Sequence, residues 1–538
     1  MLPPKEGAAK RPSVVHPFLF SVFPTFALYA YNIWSIPVSA KEIAGPAAAS
    51  AAGAALIFVL LRASLRTPVK AGLLVSLLVG LFFSFGHIAG QLAVWTQGDF
   101  SWALFFAMAF LAALAAFIVI RSRRTFTGLT RVLNVASATL LLFNVVLAGR
   151  TLVRRPPAVP GPEIRVSGRS AARPNIYFIV FDAYTRSDVL LEVFGHDNGA
   201  FLAGLEARGF AVAGRSYANY NFTYQSLAST LNISYLDELA RDMGESSSDR
   251  EPLYAMIRKN LVMDFLRSQG YRLITIASSV EPADLSTVDP DVGFRGMDSE
   301  LGTALFNQTP LPLFFRLVQG GSAYDAHRRR ILNAFRALQE APREGGPFFL
   351  FVHIMSPHPP FVFGPDGQPV EPDYPFSMVD ADWVHGARAD AVRQYTLAYR
   401  DQLTFLNTKI LETIDAILGR SPEPPIIILQ GDHGSRAYAA LDRPESSYFK
   451  ENLAILNAYH LPAGGSAFLY PGISPVNTFR LVFKRYLGAD LDFVEDRSSW
   501  STWRRPYKFL PFDEGSGQSA LGSIRRGMKP ATPAIPKR

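Results

Sequence analysis

Pro424 to Arg436 reads PPIIILQGDHGSR, and the fold of the larger part of this chain turns on it. Ile426 to Leu429 is an apolar run behind two prolines, the pattern of a strand buried on both faces. It is cut off by Gly431, Asp432, His433 and Gly434. Such a strand delivers a carboxylate and an imidazole at its carboxyl end, where open α/β sheets bind ligands. Asp432 and His433 are therefore candidate metal ligands, although the tetrapeptide alone equally fits a strand-to-loop turn.

The same pattern occurs twice more. Asn175 to Phe181, NIYFIVF, ends at Asp182, and Pro347 to His353, PFFLFVH, runs into IMSPHPPFVF at Ile354 to Phe363. Amphipathic helices are expected at Asp197 to Arg208, capped by Asn198, at Tyr254 to Ser268, and at Asp390 to Leu418. A strand is expected at Tyr271 to Ala277. This βα alternation predicts a mostly parallel central sheet. A strand-end Asp is commonly a cap or turn residue, and Asp182 becomes a candidate ligand because a second such strand shares its sheet. His353 and His358 lie on or past a strand end, the second in a loop stiffened by prolines, and His358 is read as functional. Thr223 lies in NYNFTYQSLASTLN, Asn219 to Asn232. It reads as the N-cap of a helix over Tyr224 to Leu231, or as a nucleophile whose transferring anion sits on the helix's free N–H groups. His327 to Glu340 is a basic helix with Arg328 to Arg330 as a solvated face. Phe363 to Gly386, with Trp383 and His385, is a surface loop or one wall of a substrate cleft. Pro282 to Gly321 has no periodicity that assigns it chemistry.

At 538 residues the chain needs at least two domains. Its apolar share of 49% is unevenly spread. Residues 1–150 hold five runs each near the roughly 20 residues that cross a bilayer as a helix: Phe18 to Val38, Ile43 to Leu61, Ala71 to Gly90, Trp102 to Ile120 and Val132 to Leu147. Lys5, Lys10 and Arg11, then Arg62, Arg66 and Lys70, then Arg121, Arg123, Arg124 and Arg131 flank alternate ends. A cytoplasmic amino terminus and an extracytoplasmic carboxyl domain follow from the positive-inside rule. The alternative, a signal peptide cleaved after Val38-Ser39-Ala40, leaves four spans and the same outer domain. His87 in the third span is functional or packs neutrally between helices. Residues 151–173 read as a linker, 174–514 as the outer domain, and 515–538 as a disordered basic tail. With no cysteine, thiolate sites, disulfides and cysteine nucleophiles are excluded. The net charge of +8 lacks a basic-aromatic block, which argues against nucleic acid and for anionic headgroups.

Asp182, Thr223, Asp432 and His433 converge if their strands share one sheet, and this donor set suits one divalent cation such as Mn, Zn or Mg. NIYFIVFDAY, YNFTYQSLAST, HIMSPHPPF and IIILQGDHG, in this order behind five spans, resemble the alkaline phosphatase superfamily. The likeness is to its sulfatase-like membrane branch, which includes lipoteichoic acid synthase and other phosphoglycerol transferases. The resemblance implies an α-helical membrane domain followed by an α/β alkaline-phosphatase-like domain. It implies Asp182, Asp432 and His433 as metal ligands and Thr223 as metal-bound nucleophile. It also implies substrate contacts at His358, His353 and Arg436. Arylsulfatases resemble C/S-x-P-x-R at the nucleophile; here those positions are Thr223, Gln225 and Leu227, and threonine cannot become formylglycine. Asp182 is followed by Ala183 where sulfatases pair aspartates, so one metal is expected rather than two. The implied activity is transfer of phosphoglycerol or phosphoethanolamine from a membrane phospholipid to a glycan or lipid hydroxyl. The alternatives are hydrolysis by the same residues and a non-catalytic membrane sensor or scaffold.

Overall fold

The computed structural model describes residues 12–32, 40–96, 100–153, 162–166, 173–276, 300–314, 322–372, 376, 391–440 and 442–514. The tail 515–538, Trp383, His385 and most of the linker lie outside them. By its contacts the chain divides into two units, Met1–Arg155 with Gly296–Gly321, and Pro156–Arg295 with Ser322–Arg538.

The first unit is helical: α1 (His16–Asn32), α2 (Ala40–Leu65), α3 (Pro68–Thr96), α4 (Ser101–Arg121) and α5 (Thr127–Val153). Four runs, Ile43–Leu65, Pro68–Leu92, Ser101–Arg121 and Thr127–Gly149, are long and apolar enough to cross a membrane. The described part of α1 has 17 residues and falls short of that length, and the rest of the expected first span, 33–38, lies outside the described residues. α4 is apolar all round, with Phe106, Phe110 and Phe117 about two-thirds exposed, as a helix facing hydrocarbon is. α1 buries Ser21, Thr25 and Tyr29 instead and packs on α5, α2 and α3.

Residues 300–314, to which the sequence assigned nothing, pack with these helices. The helix Glu300–Asn307 lies on α1 and α2. Leu313 joins Phe85 and Met108, and Phe314 meets Trp102 and Phe105 edge-on. The Gly86 N–H donates to the Gln308 carbonyl at 2.8 Å. A Cβ at Gly86 would stand 1.9 Å from the Asn307 carbonyl oxygen, so this approach requires glycine.

The second unit is α/β. A short β1 (Arg165–Val166) pairs with β8 (Ala489–Asp490). The main sheet holds β2 (Ile176–Phe181), β3 (Phe210–Val212), β4 (Arg272–Ile276), β5 (Phe348–Ile354), β6 (Ile426–Gly431) and β7 (Asn457–His460) in the order β3-β7-β6-β2-β5-β4. β6, β2, β5 and β4 are parallel neighbours; β7 runs antiparallel to both β6 and β3. The sheet is thus mixed, the expected parallel order holding at its centre and breaking at β7.

β2, β5 and β6 are buried along their whole length, which explains their unbroken apolar runs. Alternate residues face two cores. Tyr177, Ile179 and Phe181 meet Tyr395, Leu403 and Ile410 of the helix Ala391–Arg420. Ile176, Phe178 and Val180 meet Phe479 and Phe483 of the helix Pro475–Leu487 together with Leu227 and Leu231. The result is a three-layer unit whose central strands end on one edge. One surface expectation is corrected: Arg328 is buried, pairing with Asp325 and donating to the Val362 and Val370 carbonyls. It ties its helix to the loop after β5; Arg329 is exposed and Arg330 half-buried.

Candidate metal centre

Strand register brings the far-apart acids together. Phe181 of β2 stands opposite Gly431 of β6, and Val180 opposite His353 of β5. The next residues, Asp182 and Asp432, therefore leave the sheet side by side. Asp182, Asp432 and His433 offer ligand atoms within 4.8 Å of one another, all three buried.

The hydrogen bonds orient this cluster. Asp432 Oδ1 accepts from the Ala183 and His433 N–H groups at 3.1 and 2.8 Å. Asp432 Oδ2 and Asp182 Oδ1 are buried with no hydrogen-bonding partner. Burying carboxylate oxygens without a donor is expensive, so two such atoms aimed into one space fit a bound cation. His433 Nδ1–H donates to the Gly434 carbonyl at 2.8 Å, which places the Nε2 lone pair toward the cluster. That Nε2 lies 3.3 Å from Thr223 Oγ1, 3.6 Å from Asp182 Oδ1 and 3.8 Å from Asp432 Oδ2.

His353 lies behind them, its Nε2 3.5 Å from both carboxylates and its side chain sealed from solvent. Burial works to lower its pKa, but Asp432 and Asp182 outweigh burial and raise it. Asp182 is itself raised, by burial and then by the Asp432 charge. Burial acts upward on Asp432 too, yet His433 and His353 hold it below the usual carboxylate range.

Thr223 is not a capping residue. α6 (Ser187–Phe194) and α7 (Gly199–Glu206) precede α8 (Thr223–Asn232), whose N-cap is Phe222 and makes no side-chain cap bond. Thr223 is the first helical residue, and its hydroxyl points to His433. Asn198 does stand at the N-cap of α7, but its side chain bonds Tyr184 and Asn407 rather than the helix. His358 reaches the same edge: its N–H donates to the Asp182 carbonyl, its Nδ1–H to the Pro359 carbonyl, and its ring centroid lies 6.5 Å from that of His433. Arg436 donates to the Asn221 carbonyl at 2.8 Å and stacks 4.6 Å over Phe222, bracing the residues before Thr223.

Several supports escaped the sequence reading. Glu451 accepts from Ser435 Oγ and from the Ala437 and Tyr438 N–H groups, fixing the loop after His433; burial raises its pKa to about 7. Gln402 holds the His358 loop through Val362 N–H and the His358 carbonyl. Asn221 and Gln225 are clamped by Ser501. No local pattern marks such residues, because each partner is remote in sequence.

The glycines flanking Asp432 and His433 are sterically required. A Cβ at Gly434 would stand 2.2 Å from the Glu451 carbonyl and 2.9 Å from that of Ala454. Gly434→Ala is therefore expected to cost about 1–3 kcal/mol, the range for overpacking. It should also lower activity by about 10²-fold through displaced His433. Thermal unfolding beside steady-state kinetics checks both.

The Sulfatase family model matches residues 174–473. Among solved structures, the C-terminal periplasmic domain of EcEptC from Escherichia coli is similar at 12% identity and TM-score 0.42, over 67% of this chain and 98% of that one. Phosphonate monoester hydrolase of Agrobacterium radiobacter gives 15% and 0.38, over 61% and 80%. The integral membrane lipooligosaccharide phosphoethanolamine transferase A of Neisseria meningitidis gives 11% and 0.39, over 89% and 96%. No curated protein matches the chain.

Proposed function

Because this chain belongs to the sulfatase family, enzymes of the alkaline phosphatase superfamily, we propose that it is a membrane-anchored, metal-dependent transferase of phosphoryl-linked head groups. The donor is a phospholipid carrying phosphoglycerol or phosphoethanolamine, and the acceptor a hydroxyl of a glycan or lipid. The observation that carries this reading is the Thr223 hydroxyl, uncapped at a helix start and 3.3 Å from His433 Nε2 beside two partnerless carboxylate oxygens. All five helices cross the membrane, the amino terminus is cytoplasmic, and the α/β unit faces the periplasm or cell exterior.

Asp182, Asp432, His433 and Thr223 would hold one divalent ion, which when bound favours the threonine oxyanion and offsets charge on the phosphoryl oxygens. In the first step Thr223 Oγ1, whose proton would pass to bulk water as the ion binds and whose oxygen stays deprotonated through the cycle, bonds to phosphorus and the bond to the lipid oxygen breaks. His358, whose Nδ1 is committed to Pro359, gives that leaving oxygen a proton from Nε2. In the second step an acceptor hydroxyl bonds to phosphorus, the Oγ1–phosphorus bond breaks, and the acceptor's proton passes to His358. Arg436 steadies the backbone before Thr223, and His353, its Nε2 3.5 Å from both carboxylates, backs them from within the sheet. Threonine makes sulfate ester hydrolysis through formylglycine unavailable. The membrane unit favours a lipid donor, since a soluble substrate needs no such anchor.

The test uses the full chain with head-group-labelled phosphatidylglycerol and phosphatidylethanolamine, with Mn, Zn or Mg added. The expected result is a phosphorylated adduct on Thr223 by mass spectrometry and passage of label to an added acceptor. Free head group without transfer points to the hydrolase; no adduct and no release overturns the catalytic reading.

A further inference from the structure

The helical unit bears an apolar cleft of about 1060 Å³ between α1, α3 and α5, open to the surroundings of the helices. That is at the upper end of small-molecule sites, about 300–1,000 Å³. Its walls are aliphatic and aromatic, with Phe20, Leu73, Leu77 and Phe143 among them. Ser76, Ser84 and Asn144 also reach it, but they bond to His16, Gly80 and Leu140 within the unit. Among the described residues no side-chain hydrogen bond engages His87 or Gln308, which line one end.

The cavity is therefore polarised along its length. Leu73 and Val119 mark the end near the arginine-flanked loops, while His87 and Gln308 mark the other. From Leu73 to His87 the rise along α3 is about 21 Å, longer than the roughly 15 Å of one hydrocarbon leaflet. Gln308 is held at its end by the Gly86 N–H, in the close approach that glycine alone permits. Because the cleft opens to the surroundings of the helices, its apolar walls lie within reach of the lipid around them. In a bilayer the available apolar filler is hydrocarbon.

We propose that this cavity is a lipid site that takes one acyl chain of a glycerophospholipid, with the head group at the His87 and Gln308 end. The apolar shaft suits a methylene chain, and the imidazole and carboxamide suit the ester and phosphate oxygens at its head. The site stands whether or not Thr223 is a nucleophile, since it belongs to the helical unit alone.

The test places the full chain in phosphatidylcholine nanodiscs with a trace of phosphatidylethanolamine bearing a diazirine near the end of one chain. After illumination, labelled peptides are mapped by mass spectrometry. Label is expected to concentrate on 73–80 and 129–133, above that on Phe106 to Phe117 of α4, which report ordinary surrounding lipid. Gly80 lines the cavity, and a Cβ there meets nothing within 4 Å. Gly80→Phe should therefore fill the shaft and lower the 73–80 and 129–133 labels at least fivefold while leaving α4 labels unchanged. If Gly80→Phe disturbs the fold, read as loss of monodisperse elution, Ala27→Leu carries the same expectation. Thr223→Ala should label like the wild type. Even labelling of α3 and α4, or labels indifferent to a well-folded cavity-filling variant, overturns the proposal.

Discussion

Thr223→Ala is expected to lower kcat by at least about 10⁴-fold, the scale seen when a nucleophile is removed from a preorganised site, and to abolish any adduct on residue 223. In chelator, where no ion contributes, it should leave stability nearly untouched. A capping threonine replaced by alanine typically costs about 1 kcal/mol, but Thr223 is the first residue inside α8 and its hydroxyl caps nothing. Activity and stability thus separate the two roles. Thr223→Ser, which keeps the oxygen, should retain measurable turnover and the adduct. A Thr223→Ala protein that turns over normally would sink the nucleophile, whatever its melting temperature.

The second large effect is expected on removing the metal. A chelator should abolish turnover, and restoring the ion should stabilise the fold by about 4 kcal/mol when free metal exceeds its dissociation constant 1,000-fold. The pH dependence carries a sign. Asp182 is raised above its ordinary 3.8 by burial and by Asp432. A carboxyl raised in the folded state contributes stability in its protonated form, fully present below the unfolded pKa and lost as pH rises through the folded one. The metal-free protein should accordingly lose stability as pH climbs from about 4. The metal-loaded protein should gain relative to it, because ligands must be deprotonated to bind. Thermal unfolding across pH, with and without Mn or Zn, reads both slopes; curves that superimpose in chelator and in metal would remove the ion from the account.

The strand ends were legible because burial on both faces leaves no alternation to confuse and the polar residue that stops the run is conspicuous. Asp182, His353 and Asp432 could each be named from sequence for that reason. Their mutual geometry could not, since it depends on register across β5, β2 and β6. The position of Thr223 was missed by one residue: a Thr before a helical stretch reads as a cap, and the extended backbone of Phe222 took that place instead. Arg328 looked solvated because three consecutive arginines outweigh the helical period that buries one of them. Glu451, Gln402 and Ser501 carry no local signature, as their role is to satisfy backbone or side-chain groups of residues far along the chain. β7 reverses for a similar reason, its direction being set by the return of the chain after the Asp432 loop.

The segment 300–314 bears on modularity. Residues 300–314 sit within the sequence of the outer domain yet pack among the first helices, so the helical unit is discontinuous in sequence. A single cut after Arg155 does not release one unit from the other. It strips Leu313 and Phe314 of Phe85, Met108 and Trp102, and leaves an apolar strap on whatever the cut frees.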